Sequence, residues 1–377
     1  MEVHATSPAD VERLLARASR ARVAVVGDFC LDAYWEIDCG EPELSIETGL
    51  PTRRVRAQRY SPGGAGNVAM NLAALGVERV SAIGLVGSDP FGACMLGLLR
   101  AAGVDCRGML DGPADWQTPV YAKPITDGEE GGRTDFGAFN AMDAATARRL
   151  AAALDEAASA HDALIVNRQL PNALATGPFV DAINSVAAAH PDLLVLVDAR
   201  YGACDFAGAV LKLNNDEAVR LALAGDAGAD AKAAAETGDT AKLASAIQRK
   251  TGRAVFITRG ARGLVAAAHD GAADISGIPV PPPIDTVGAG DCLASALAAT
   301  LCAGARDGIP GIPDLELDED GLWATLCAGA RDGIAHAAEA AAFANLAASV
   351  ILKKLHTTGT ASPAEIRAAA RRLGNLE

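Results

Sequence analysis

Basic residues are scarce. Only 33 Lys and Arg stand against 47 Asp and Glu, a formal charge of −14 over 377 residues. A phosphate backbone repels an acidic protein, which argues against nucleic acid as a main partner. An anionic ligand then has to be held by a local site or a metal rather than by the global field. The eight cysteines, at 30, 39, 94, 106, 204, 292, 302 and 327, form no CxxC pair, so a zinc ribbon or thioredoxin-like motif has no support. Isolated thiols in an Ala-rich chain behave as small buried hydrophobes, and reduced cysteines are expected of a cytoplasmic protein. There is no Gly-Lys dipeptide, no HExxH and no EF-hand loop, which removes P-loop and zincin chemistry. No apolar run reaches the ~18 residues of a membrane span; the longest, 336–352, is broken by Glu339 and Asn345. Residues 1–22 are charged and helical in pattern and lack the apolar centre of a signal peptide. A soluble protein without a membrane partner is expected.

What is present is core. Half of the residues are hydrophobic, which excludes intrinsic disorder, and a chain of this size can remove ~75% of its unfolded surface from water. Short apolar runs alternate with Ala-rich helical stretches. Arg22-Val23-Ala24-Val25-Val26-Gly27, Val80 to Val86, Ala163 to Val166, Leu193 to Asp198 and Ala254 to Thr258 read as strands. Their continuous apolarity suggests burial on both faces. Residues 144–160 and 232–250 have helical composition. This β/α alternation predicts a mostly parallel sheet covered by helices on both sides. Two segments, 36–60 and 117–139, break the pattern with polar alternation, as in Arg53-Arg54-Val55-Arg56-Ala57-Gln58. They read as a small β layer with one wet face, either a cover over a cleft or an extra solvent-facing sheet.

Residues 299–309 recur identically at 324–334. A perfect copy is too exact for a structural repeat, where only pattern persists. It reads as a tandem duplication that lengthens one connection, a change loops absorb at ~0.6 kcal/mol per doubling of length.

Three loops can carry chemistry. Asp285-Thr286-Val287-Gly288-Ala289-Gly290-Asp291 opens into an Ala/Leu helix. Gly288 and Gly290 let free N–H groups converge at the helix start, a geometry suited to phosphate or developing negative charge. Asp291 beside such a site can take a proton from an attacking hydroxyl, or it can simply cap the helix. Gly63-Gly64-Ala65-Gly66-Asn67-Val68-Ala69 contains a GxGxxA pattern, with Asp89 20 residues beyond. That keeps a NAD(P)-dependent oxidoreductase open, although Ser61-Pro62 interrupts the strand expected before it. The other reading has the glycines allowing close approach to a small ligand, with Asn67 offering an amide. Asp28 and Asp32 follow the first strand, where ligands of parallel sheets bind; either could instead serve a turn.

Together these residues resemble the ribokinase-like carbohydrate kinase family of the phosphofructokinase-B type. Asp285-Thr286-x-Gly288-Ala289-Gly290-Asp291 resembles its C-terminal signature, and Gly63 to Ala69 its N-terminal one. Val26-Gly27-Asp28-x-x-Leu31-Asp32, Lys212-Leu213-Asn214-x-x-Glu217 and Thr258-Arg259-Gly260-x-x-Gly263 fall in the expected order. The resemblance spans roughly residues 20 to 370 and looks closest to the heptose 7-phosphate kinase branch, through Tyr34-Trp35 and Arg133-x-Asp135-Phe136.

It implies a three-layer α/β/α fold with a small β lid, as one kinase domain over 1–377 with lid segments 36–60 and 117–139 and a duplicated connection over about 302–335. It implies ATP-dependent phosphorylation of a hydroxyl on a sugar or sugar phosphate. Asp291 would be the base, with the Gly288, Ala289 and Gly290 amides as anion hole. Asp28, Asp32, Gly63, Gly64, Asn67 and Arg133 would bind the sugar. Asn214, Thr258, Gly260, Gly263, Asp285, Thr286 and Asn345 would border the nucleotide, and Asn214 and Glu217 would help hold Mg2+. ATP and Mg2+ are the implied cofactors, with room for a monovalent cation, and the lid leaves room for a homodimer. Two places depart from the pattern. Residues 41–50 lack the Pro-rich lid entry, and Asn167-Arg168-Gln169 stands where a Ser-Asp-Tyr-like loop is expected. A catalytically silent sugar-binding protein is the third reading, and the intact Asp291 argues against it.

Overall fold

The computed structural model describes residues 2–3, 7–170, 177–302, 333–355 and 357–374. In chain order, β1 (Glu2–Val3), α1 (Pro8–Ala18) and β2 (Arg22–Gly27) lead into β3 (Phe29–Ile37) and β4 (Val55–Gly64). There follow α2 (Ala65–Leu75), β5 (Arg79–Val86), α3 (Pro90–Ala101), β6 (Asp105–Asp111), β7 (Val120–Thr126), β8 (Glu129–Glu130) and β9 (Thr134–Phe136). The middle comprises α4 (Ala144–Ala160), β10 (Ala163–Arg168), α5 (Gly177–Ala189), β11 (Leu194–Ala199), β12 (Val210–Asn214), α6 (Asn215–Leu223), α7 (Ala229–Thr237) and α8 (Thr240–Thr251). The chain closes with β13 (Val255–Thr258), β14 (Leu264–Ala268), β15 (Gly271–Ile275), α9 (Ala289–Cys302), α10 (Ile334–Ile351) and α11 (Pro363–Gly374).

Ten strands form the main sheet in the order β1-β15-β14-β13-β12-β11-β10-β2-β5-β6. It is parallel except where β14 runs against β13 and β15. The apolar runs are continuous because successive residues feed two cores. Val23 and Val25 of β2 join the layer of α1, α2, α9, α10 and α11, while Ala24 and Val26 join that of α4 to α8. Helix α10, long and apolar enough to cross a membrane, is mostly buried and packs on α9 and β14.

The second sheet has five strands, β4-β3-β7-β8 with β9 on β7. It corresponds to the expected β layer but starts earlier, at Phe29, with only Asp28 between it and β2. The expectation of one wet face fails over the first half of β4, where Val55 to Arg59 are all exposed. β4 is the sheet edge, and its arginines suit an edge that must avoid pairing. Ser61-Pro62 does not interrupt a strand; it lies within β4, where Pro62 faces Leu31, a position an edge strand tolerates. The strand before Gly64 therefore belongs to the small sheet and runs antiparallel to β3, which removes the βαβ context a dinucleotide fingerprint requires.

The stretch 232–250 is two helices rather than one. Gly238 closes α7 in the left-handed region and Asp239 caps α8 through the Lys242 N–H. Of the repeated segments, residues 299–302 end α9, Gly333 caps α10 and Ile334 starts it; residues 303–309 and 324–332 lie outside the described residues. Cys30, Cys106, Cys292 and Cys302 are buried as expected, whereas Cys39 is exposed.

Candidate functional site

Three strands of the main sheet end in one polar row. Asn167 of β10 is the register partner of Asp198 of β11, and the Val197–Leu211 pairing puts Asp198 beside Lys212 of β12. Lys212 Nζ and Asp198 Oδ2 form an ion pair of 3.0 Å, and both residues are buried. The start of α9 comes down on this row. A Cβ on Gly290 would lie 2.9 Å from Lys212 Nζ, and one on Gly288 would lie 2.7 Å from Asn67 Nδ2. Gly288 also adopts φ +80°, a conformation that glycine enters without steric cost.

Asp291 sits in the first turn of α9 and receives a hydrogen bond of 2.7 Å from Asn67 Nδ2. Its helix anchors it through the Ser295 hydroxyl, which donates to the Asp291 carbonyl at 2.7 Å. Asp291 does not occupy the N-cap position, since it is the third residue of α9, and its carboxylate is bonded by a side chain of α2 (Ala65–Leu75). Burial, aided by the Asp198 charge, pushes the Asp291 carboxyl up to about 7, against the pull of Asn67 and Lys212. A carboxylate tuned to that range is suited to take a proton near neutral pH.

On the β3 side, Asp28 Oδ2 accepts the Gln169 and Leu170 N–H groups at 2.8 and 2.7 Å. Its Oδ1 is buried without a partner among the described residues, and burial raises this carboxyl to about 6. Asp32, within β3, pairs with Lys123 of β7 at 2.8 Å, and Lys123 also donates to the Tyr34 hydroxyl at 3.3 Å. Neither aspartate serves a turn. Gly63 and Gly64 have a packing reason to be glycine: a Cβ would meet Asp32 Oδ2 at 2.7 Å and the Asp28 carbonyl at 2.5 Å, respectively. Arg133 stands further out on the lid, paired with Asp135 at 2.6 Å and stacked 4.2 Å over Tyr121, the register partner of Asp32.

Of the residues expected to face a nucleotide, Asn214 and Thr258 end the next two strands, β12 and β13. Asn214 and Thr258 are register partners, and the Thr258 hydroxyl donates to the Leu213 carbonyl at 3.4 Å. Asn214 caps α6 in a reciprocal box with Glu217, at 2.8 Å in both directions. Burial raises the Glu217 carboxyl. Gly260 and Gly263 occupy positive φ on either side of a short turn. Asp285 receives the Val287 N–H at 2.9 Å, and the Thr286 carbonyl receives the Ala289 N–H at 3.2 Å. Asn345 of α10 donates to the Ser276 carbonyl at 2.9 Å.

The fold thus brings together Asn67, Gly288, Gly290 and Asp291, with Asp28, Asp32, Gly63 and Gly64 adjoining, and leaves Arg133 and Asn345 at the margins. Sequence reading gave no role to Asp198, Lys212, Lys123 or Asn167. Asn167 is fully buried, and neither of its amide atoms has a partner among the described residues. The available signal was position, since Asn167, Asp198 and Lys212 lie at or near the carboxyl ends of parallel strands, where ligands bind. Among the described residues no cluster of three or more His, Cys, Asp or Glu could hold a metal.

The model of the pfkB family of carbohydrate kinases matches residues 20–365. The bifunctional protein HldE of Halorhodospira halophila is 32% identical over 354 residues, covering 92% of this chain and 63% of that protein. HldE of Aeromonas salmonicida is 29% identical over 356 residues, 93% of this chain and 64% of its own length. The chain therefore spans less than two thirds of these relatives. Phosphofructokinase-2 of Escherichia coli, in complex with substrates and products, superposes with a TM-score of 0.62 at 18% identity, over 94% of this chain and 99% of its own. Ribokinase of Giardia lamblia does so with a TM-score of 0.63 at 18% identity, over 95% and 99%. These likenesses establish a ribokinase-like α/β fold.

Proposed function

Because the chain belongs to the pfkB family of carbohydrate kinases, we propose that it phosphorylates a hydroxyl of a sugar or sugar phosphate at the expense of ATP, with Asp291 as the base. The observation that carries this reading is the Asp291 carboxylate, held by Asn67 at 2.7 Å in the first turn of α9 and raised to about 7. The acceptor hydroxyl gives its proton to Asp291 as its oxygen bonds to the γ-phosphorus, and the bond from that phosphorus to the ADP oxygen breaks. Charge developing on the phosphoryl oxygens meets the N–H groups at the start of α9, with the Lys212 ammonium directly behind Gly290. Catalysis of this kind is mostly positioning and charge neutralisation.

Asp28, Asp32, Gly63, Gly64 and Asn67 form the acceptor side, with Arg133 at its rim. Asn214, Thr258, Gly260, Gly263, Asp285, Thr286 and Asn345 form the nucleotide side. Mg2+ typically binds through one or two carboxylates together with substrate phosphates. Glu217 supplies one carboxylate, one oxygen of which is bonded to the Asn214 N–H, and with Asn214 it would help hold the ion indirectly near the phosphates, whose charge the ion would neutralise. The whole described chain is read as one kinase domain with β3, β4 and β7 to β9 as its lid. Exposed Leu44, Ile46, Leu50 and Val55 on the lid support a homodimer through it.

Replacing Asp291 with Asn tests the mechanism. Turnover is expected to fall by about a thousandfold or more, while ATP with Mg2+ still raises Tm and NAD(P) does not. Substantial residual turnover, or stabilisation by NAD(P) alone, would sink this reading.

A further inference from the structure

Arg168 ends β10 and is only 7% exposed. Its Nε is enclosed with no hydrogen-bond partner among the described residues. A guanidinium carries a full charge, and a buried donor of such a group left unanswered, as Nε is here, is a costly feature for a fold to carry. The neighbouring carboxylates do not resolve it. Asp28 feels the Arg168 charge, but its Oδ2 is taken by the Gln169 and Leu170 N–H groups and its Oδ1 is bonded to nothing described. Asp205 lies across the Gly202 turn. A Cβ on Gly202, at φ +62°, would crowd Asp205 and stand 3.6 Å from Arg168 Nη1.

A second arginine is anchored to the same segment. The Arg200 N–H bonds to the Arg168 carbonyl at 3.0 Å, and Arg200 Nε donates to Gln169 Oε1 at 2.9 Å. Both arginines lie at the carboxyl edge of the parallel sheet, Arg168 at the end of β10 just before the Gln169 and Leu170 N–H groups that hold Asp28, and Arg200 just after β11. The nucleotide-side residues Asn214 and Thr258 end β12 and β13, two and three strands away, roughly 10 and 15 Å at ordinary strand spacing. Arg168 acts instead on Asp28, which the proposed function assigns to the acceptor side.

We propose that Arg168, assisted by Arg200, is a specificity-determining receptor for an oxyanion carried by the acceptor, a phosphate or carboxylate group on the sugar. This rests on the sugar kinase reading and narrows its substrate class. The acceptor hydroxyl still faces Asp291, while the anionic end of the molecule seats on the guanidinium at the end of β10. Neutral sugars leave that charge unanswered and bind less well.

The test compares a neutral sugar, its phosphate monoester and its sugar acid in wild type, Arg168→Gln and Arg168→Lys. In wild type, kcat/KM for one of the two anionic acceptors is expected to exceed the neutral one by about tenfold or more, the scale of a charge-assisted contact. Arg168→Gln collapses that ratio toward one, mainly through the acceptor KM, and Arg168→Lys retains much of it. Preference for the monoester identifies a sugar phosphate and preference for the acid a sugar acid, and either upholds the proposal. An unchanged ratio in Arg168→Gln, an equal loss on all acceptors, or a change confined to the ATP KM overturns it. If no acceptor is turned over at all, the kinase reading fails on its own. Inorganic phosphate then serves as the probe: a rise in Tm that Arg168→Gln abolishes upholds the receptor, and a rise indifferent to the substitution, or none, overturns it.

Discussion

Each of the two sheets buries one lysine–aspartate pair, and the surroundings of the pairs differ. Lys212–Asp198, at 3.0 Å, lies in the ten-stranded sheet beneath the start of α9, with helices on both faces. Lys123–Asp32, at 2.8 Å, lies in the five-stranded sheet, whose outer strand β4 is exposed along its first half. Burial pulls both lysines down, yet the carboxylates beside them win and both end raised, Lys212 through Asp198 and Glu217 and Lys123 through Asp32. The lid pair also has Tyr34 as a hydrogen-bond and cation–π partner, 4.8 Å from the ring centroid. The difference teaches which charges the fold can spare. In the closed sheet a lost partner has no substitute, whereas a sheet with an open rim can admit water to replace one.

The comparison can be broken by experiment. The largest effect expected is the loss of turnover in Asp291→Asn, because that side chain stands over the closed sheet's polar row and is the base of the proposed mechanism. Next is Lys212→Met, which strands Asp198 and is expected to cost about 3–5 kcal/mol of stability in denaturant unfolding. Lys123→Met should cost less, about 1–3 kcal/mol, and act mostly on the acceptor KM. Equal costs for the two would show that the lid is as closed to water as the core.

pH sharpens the same contrast. With Asp291 at about 7, the proposed mechanism predicts that kcat/KM falls about tenfold per unit as pH drops below that value, because the proposed base is then protonated. For stability the sign is reversed. An acid whose folded pKa lies above its unfolded value of 3.8 keeps its proton longer in the fold. Its contribution is complete below pH ~4 and is lost as pH rises to about 7. Asp291→Asn should therefore gain stability relative to wild type across that window and hold the gain at pH 8. A wild-type protein that stabilises relative to the variant over pH 4–7 would contradict the buried setting of this carboxyl. The smallest effect is expected from deleting residues 303–327, which leaves one copy of the repeat. Turnover within about twofold of wild type would match the modest dependence on loop length, and a collapse would mean that the duplication has been recruited.

How much of this was legible depended on distance along the chain. The Gly288–Asp291 loop could be read because its turn, helix start and carboxylate are contiguous. The strands of the main sheet could be read because burial on two faces leaves an uninterrupted apolar run. Asn67 was visible as an amide at a helix start, but its partner Asp291 lies 224 residues away, and nothing local joins them. Lys212 and Asp198 looked like parts of a motif and a strand. Pro62 looked like a break in a buried strand, because an edge strand of a second sheet was not visible from composition. Arg168 was visible only as a departure.

By itself the sequence determined the alternation of strands and helices, the glycines that open the start of α9 and the carboxylate placed there, since backbone conformation and burial periodicity are properties of neighbouring residues. Only the tertiary structure decided that Asn67 grips that carboxylate, that Asp198 and Lys212 set its surroundings, that the Gly64 loop follows a lid strand, and that Arg168 is buried with its Nε unanswered. Those facts depend on which strand ends and helix starts meet in space. Contacts across hundreds of residues are set by the packing of whole layers, which no local window contains.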